Sequence, residues 1–213
     1  MRCANKELLL YGGTDRSGRG ARTLAPQVEA SLRGGATMIQ LREKHMDRGS
    51  ILAQALELRE LCGRYGVPLI LNDDAELAQA AGADGVHVGQ SDMEAGRVRA
   101  LLGEDKLIGV SARTVEQALA AQAAGADYLG VGAMFPTGTK QDTRPVSYDT
   151  LKAICAAVDI PVVAIGGIGA GNVAELAGSG IAGVAVVSAL YAQPDVEAAT
   201  RSLRAQVERV VGP

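Results

Sequence analysis

The chain has 213 residues, 47% of them hydrophobic and 21% charged, which is enough for one sizeable core, so residues 1–213 are read as a single domain. A formal net charge of −3 without any long basic run excludes the electrostatic footprint of a nucleic-acid binder, while local Lys and Arg still admit small anionic ligands. Cys3, Cys62 and Cys155 are odd in number, widely spaced and free of any CxxC, so they indicate neither a disulfide framework nor a zinc site and read as idle thiols in a reducing cytoplasm.

The opening MRCANKELLLYGG has too short an apolar run for a signal peptide, and no other apolar stretch approaches membrane-spanning length. A soluble, cytoplasmic protein is expected, with a homo-oligomer left open. Eight β-rich runs follow one another at residues 8–11, 38–41, 67–71, 85–88, 107–110, 128–131, 162–165 and 183–187. Amphipathic helical segments alternate with them at 25–33, 51–65, 75–81, 94–102, 115–124, 148–157, 173–177 and 196–211. Eight βα units of about 27 residues predict an α/β fold, the (β/α)8 TIM barrel, near the lower end of its size range. An open doubly wound sheet is the alternative. An internal echo favours the barrel: 79–89 reads QAAGADGVHVG and 122–132 reads QAAGADYLGVG, each a helix end, a glycine turn and a strand.

In such a barrel the functional rim is formed by the C-terminal strand ends. Thr14, Asp15 and Arg16 follow the first run, Arg42, Glu43 and Lys44 the second, Asn72 and Asp73 the third, and Gln90 and Asp92 the fourth. Ser111 and Arg113 follow the fifth, the polar loop PTGTKQDTR (136–144) the sixth, Gly166 to Gly169 the seventh, and Ser188 the eighth. Two neighbouring carboxylates on one rim repel unless a cation lies between them, and a hard divalent ion suits Asp73 and Asp92. Asp74 reads as the cap of the helix that follows, a role that Asp73 could also take. The loop 166–171, with Asn172 and Glu175 in a capping-box pattern, predicts free backbone N–H groups facing an anion. Together these signals predict one phosphate at the rim of strands seven and eight and a second, metal-assisted anion near Asp73 and Asp92.

The assembled motifs resemble the thiamine-phosphate synthase family. They are QLREK (40–44), LNDD (71–74), GVHVGQSD (85–92), GVSART (109–114), PTGTKQDT (136–143), IGGI (165–168) and VVSAL (186–190), in the family's order over nearly the whole chain. The resemblance implies a barrel enzyme that joins 4-amino-2-methyl-5-(diphosphooxymethyl)pyrimidine to 4-methyl-5-(2-phosphoethyl)thiazole, releasing pyrophosphate. It puts the pyrimidine diphosphate on Gln40, Leu41, Arg42, Glu43, Lys44, Asn72, Ser111 and Lys140, with Arg42, Lys44, Ser111 and Lys140 acting in catalysis. Asp73 and Asp92 would hold Mg2+, and Thr137, Gly138, Thr139, Gly167, Val187 and Ser188 the thiazole phosphate. Histidines His45 and His87 receive no role. Two departures stand out: Arg113 occupies a position where the family usually has histidine, and the first strand reads YGGTDR, with two glycines before the polar end. A thiazole tautomerase-like isomerase and a non-catalytic thiazole-phosphate sensor are the competing functions. The complete metal and diphosphate set speaks against both.

Overall fold

A computed structural model describes residues 3–14, 23–43, 46–136 and 145–212. The strands β1 (Leu10–Gly13), β2 (Met38–Leu41), β3 (Leu69–Asn72), β4 (Gly85–Val88), β5 (Leu107–Ala112), β6 (Tyr128–Gly132), β7 (Val162–Ile165) and β8 (Gly183–Val186) form one closed barrel. All neighbours are parallel, and closure is made by β8 against β1, with Leu10 opposite Val184 and Gly12 opposite Val186. The expected (β/α)8 barrel is therefore the fold, and the open sheet is not.

Around the barrel lie α2 (Leu24–Gly34), α3 (Arg48–Tyr65), α4 (Ala75–Ala81), α5 (Ala95–Leu102), α6 (Val115–Ala123), α7 (Tyr148–Ala157) and α9 (Val196–Val211). Two short helices were not anticipated: α1 (Asn5–Leu8) precedes β1, and α8 (Ser188–Tyr191) follows β8. The segment expected at 173–177 is a single 3-10 turn, Val173–Leu176.

Parallel strands covered on both faces are apolar on both, and here they divide the core into two layers. Ile39, Leu41, Leu71, Val86 and Leu129 pack outward against the helices. Tyr11, Met38, Ile70, Leu107, Tyr128 and Val163 fill the barrel interior. Leu8 of α1 and the preceding Cys3 join this inner cluster, so they close its N-terminal end. That explains why β1 starts at Leu10 and not at Leu8. Burial pushes the thiols of Cys3 and Cys62 up to about 12 and that of Cys155 up to about 11, in keeping with inert cysteines.

The repeated GAD of the internal echo is a fastening device. Each glycine takes a left-handed turn, Gly82 at φ 62° and Gly125 at φ 91°. Each aspartate then accepts a strand N–H from the preceding unit: Asp84 Oδ2 from Leu69 at 2.8 Å and Asp127 Oδ2 from Ile108 at 2.8 Å. In the second copy Arg99 Nη2 also donates to Asp127 at 2.6 Å, and its guanidinium reaches the carbonyls of Gly103, Lys106 and Gly125.

Candidate active site

Side chains alternate along a strand, so the interior positions nearest each C-terminal end converge on the barrel mouth. Met38 faces inward, which puts Gln40 inward as well; the same parity from Ile70 and Leu107 places Asn72 and Ser111 there. Leu41 has the opposite parity and lies in the outer core, so only its backbone can serve the mouth. Arg42 and Glu43 follow as half-buried residues. The Arg42 N–H donates to Thr14 Oγ1 at 3.0 Å, and the Thr14 N–H donates to the Gln40 carbonyl at 2.9 Å, stitching the ends of β1 and β2 together. Lys44, Thr137, Gly138, Thr139 and Lys140 lie outside the described residues, as do Asp15, Arg16 and His45.

The acidic side of the mouth is built at the ends of β3 and β4. Asp74 caps α4, its carboxylate accepting the Leu77 N–H at 2.8 Å, which leaves Asp73 free of that task. Asp73 has φ 66°, a left-handed conformation that Asp tolerates better than most residues. Its N–H donates to the His87 carbonyl at 2.8 Å, pinning this strained residue to the neighbouring strand. Asp92 sits in a loop closed on itself, where one carboxylate oxygen accepts the Gly89 N–H at 2.7 Å. Asp73 and Asp92, hard carboxylates following adjacent strands, are the residues that could hold Mg2+, a cation that commonly binds through one or two carboxylates together with substrate phosphates. No cluster of three or more His, Cys, Asp or Glu suited to a metal occurs among the described residues, so the donor set fits no all-protein cage.

The opposite side is an open pocket lined by Pro136, Gly167, Ile168, Gly169, Ser188 and Gln193, among others. Gly167 has φ 67°, and a Cβ there would come within 2.7 Å of the Phe135 carbonyl oxygen. The N–H groups of Gly167 and Ile168 have no hydrogen-bond partner among the described residues. The expected capping box does not form. Asn172 turns back instead, Oδ1 accepting from the Gly169 N–H and Nδ2 donating to the Gly167 carbonyl, both at 2.9 Å. It braces the glycine loop because the following segment is one 3-10 turn and not a full helix. Ser188, read as a loop residue, opens α8 and is exposed, whereas Val187 precedes it half-buried. Short helices of this kind leave their first N–H groups unpaired.

The first-strand departure from the family pattern has a local explanation. A Cβ at Gly12 would meet the Tyr191 hydroxyl at 2.9 Å, and one at Gly13 would meet Val187 at 3.3 Å, so Tyr191 and Val187 use the room the glycines leave. Tyr191 is held there by Ser31 Oγ at 3.1 Å. Arg113 extends along the rim, with Nε 3.3 Å from the Gly132 carbonyl.

Three residues near the mouth receive no site role from the sequence: Tyr11 and Tyr128 stand in apolar strands and read as core, and His87 is set aside for its place within a strand. Their period-two position, shared with Gln40 and Ser111, was the available signal.

Comparison with known proteins agrees with this geometry. Residues 10–190 match the family model for thiamine monophosphate synthase. The chain is 48% identical over 194 residues to the thiamine-phosphate synthase of Ruminiclostridium cellulolyticum, covering 91% of this chain and 92% of that one. It is 50% identical over 199 residues to that of Chloroflexus aurantiacus, covering 93% and 92%. The solved thiamine phosphate pyrophosphorylase from Pyrococcus furiosus superposes with a TM-score of 0.90 at 38% identity, covering 98% of this chain and 99% of that one. A barrel whose mouth carries the motifs in order, and whose relatives match from end to end at this level of identity, belongs to the thiamine monophosphate synthase family.

Proposed function

We propose that this mouth joins 4-amino-2-methyl-5-(diphosphooxymethyl)pyrimidine to 4-methyl-5-(2-phosphoethyl)thiazole, giving thiamine phosphate and pyrophosphate. The observation that carries the reading is the division of the mouth: interior polar ends at Gln40, Asn72 and Ser111 lie between an acidic rim and a glycine-lined pocket. The pyrimidine diphosphate takes the former and the thiazole phosphate the pocket lined by Gly167 and Ser188, next to Val187 in the chain; the family resemblance adds Thr137, Gly138 and Thr139 to that ligand.

Pyrophosphate leaves readily only when the charge growing on its bridging oxygen is met. Arg42, Lys44 and Lys140 supply positive charge on the protein's side. Asp73 and Asp92 would hold Mg2+, which when bound neutralises phosphate charge and orients the leaving group. The methylene C–O bond breaks with both electrons going to pyrophosphate, and the ring-stabilised cation is captured by the thiazole nitrogen lone pair as the C–N bond forms. No protein nucleophile and no proton transfer is required, so the chain's task is positioning. The buried cysteines suit that division of labour, since their raised pKa values leave almost no thiolate.

The test is a coupling assay with both substrates, with and without Mg2+. Thiamine phosphate formed only with Mg2+ present supports the whole reading. Absence of product, with isomerisation of a thiazole or simple binding of its phosphate instead, would move the chain to the tautomerase-like or sensor reading.

A further inference from the structure

Below the mouth, five side chains from five strands form one hydrogen-bonded line through the barrel interior. Gln40 Nε2 donates to the Tyr11 hydroxyl at 2.7 Å, which lies 3.1 Å from the Tyr128 hydroxyl. Tyr128 in turn lies 3.3 Å from His87 Nδ1, and His87 Nε2 lies 2.9 Å from Ser111 Oγ. Both ends of the line are residues assigned above to the pyrimidine diphosphate, and all of its middle is buried.

The line has a direction. The Tyr11 hydroxyl accepts from Gln40, so its single proton goes to its remaining partner among the described residues, Tyr128. Tyr128 has then used a lone pair and turns its own proton to His87 Nδ1. A ring nitrogen that accepts carries no proton, so the imidazole proton sits on Nε2 and is donated to Ser111 Oγ. With that lone pair occupied, the Ser111 hydroxyl proton is left for the mouth. Burial raises both tyrosine hydroxyls far above neutrality, so neither loses its proton along the way.

The backbone clears space for this arrangement. A Cβ on Gly109 would overlap both the Tyr128 ring and His87 Nδ1, and one on Gly130 would stand 3.0 Å from His87 Cε1. Filling a barrel interior calls for bulky side chains, so two glycines beside one polar contact are a cost to packing that the polar contact accounts for.

We propose that Tyr11, Tyr128 and His87 are positioning residues, a one-way hydrogen-bond relay that presents Ser111 to the pyrimidine diphosphate as a donor. The proposal rests on the assignment of Ser111 to that substrate. A donor hydroxyl aimed at a diphosphate or at a ring nitrogen binds it; a hydroxyl turned inward towards His87 would show the same ligand only lone pairs.

Two measurements test it. The chain has two histidines, His45 and His87, so nitrogen-15 NMR of histidine-labelled protein, assigned with His45→Gln, reads the His87 tautomer directly. A neutral ring protonated on Nε2 at pH 7 is expected; a ring protonated on Nδ1, or on both nitrogens, overturns the relay. The second is a double-mutant cycle of Tyr128→Phe with Ser111→Ala. Tyr128→Phe should lower kcat/KM for the pyrimidine diphosphate about tenfold, the scale of one misdirected buried hydrogen bond, and leave KM for the thiazole phosphate unchanged. In the Ser111→Ala background the same change should alter kcat/KM less than about twofold. Equal losses in both backgrounds would show Tyr128 acting as packing alone and overturn the proposal. Wild-type kinetics for Ser111→Ala by itself would instead refute the assignment of Ser111 to the pyrimidine end, a failure distinct from that of the tautomer.

Discussion

The two copies of the GAD fastening differ in surroundings, which makes them a matched pair for mutation. Asp84 is exposed, and its Oδ2 accepts the Leu69 N–H. Asp127 makes the equivalent bond to Ile108 and also pairs with Arg99, with side chains only 9% and 14% exposed. Asp84→Ala removes one hydrogen bond near water and should cost about 1 kcal/mol. Asp127→Ala strands a largely buried guanidinium as well, a loss of about 3 to 5 kcal/mol for breaking one partner out of such a pair. Three carbonyls remain on Arg99, so the low end of that range is expected. For a chain of this length about 3 kcal/mol corresponds to a Tm drop of about 6 to 12 °C, against about 2 to 4 °C for Asp84→Ala. Differential scanning calorimetry of both variants gives the comparison. Equal shifts would refute the reasoning, because they would mean that the Arg99 pair adds nothing to the shared strand fastening.

Asp92→Asn should keep the bond to Gly89, since an amide oxygen also accepts, and so should fold normally while losing most turnover; steady-state kinetics should show partial recovery in excess Mg2+, and wild-type turnover at ordinary Mg2+ would remove Asp92 from the metal set. Gly167→Ala should be felt twice, as loss of thiazole phosphate binding by titration and as a fall in stability of about 1 to 3 kcal/mol, because φ 67° and the Phe135 and Pro136 carbonyls leave no room for Cβ. Native stability with intact binding would refute both roles. Alkylation at pH 8 should mark half-buried Cys155 slowly and spare Cys3 and Cys62 until the protein unfolds, as judged by mass spectrometry, because burial holds all three thiols protonated.

Strongly patterned elements were legible in the sequence to the residue: Met38–Leu41, Gly85–Val88 and Val162–Ile165 among the strands, Ala75–Ala81 and Val196–Val211 among the helices. Each is bounded by a turn residue or carries a clear period. The short pieces were not legible. Asn5–Leu8 and Ser188–Tyr191 have one turn each, too little for a helical period to appear, and the apolar LLLY run masks where helix gives way to strand. At the site, strand-end position identified the polar rim, but motif matching alone placed Leu41 beside Gln40 although strand parity sends its side chain to the outer core. The pattern N-x-x-E at 172–175 suggested a capping box that needs a longer helix than this chain provides. Tyr11 and Tyr128 read as core, and His87 receives no role, because an aromatic or imidazole ring within an apolar strand has the composition of packing; only the order of hydrogen bonds distinguishes it.

The stopper that Cys3 and Leu8 form at the N-terminal end of the barrel has a bearing on traffic. With Leu107, Met38 and Ile70 filling the interior above it, the described residues close the barrel at that end and leave the C-terminal mouth as the way in and out. Gln40 and Ser188 both stand at that opening, Gln40 buried and Ser188 exposed. Whatever binds against Gln40 must therefore leave by the face at which it arrived, past the same rim that carries Ser188.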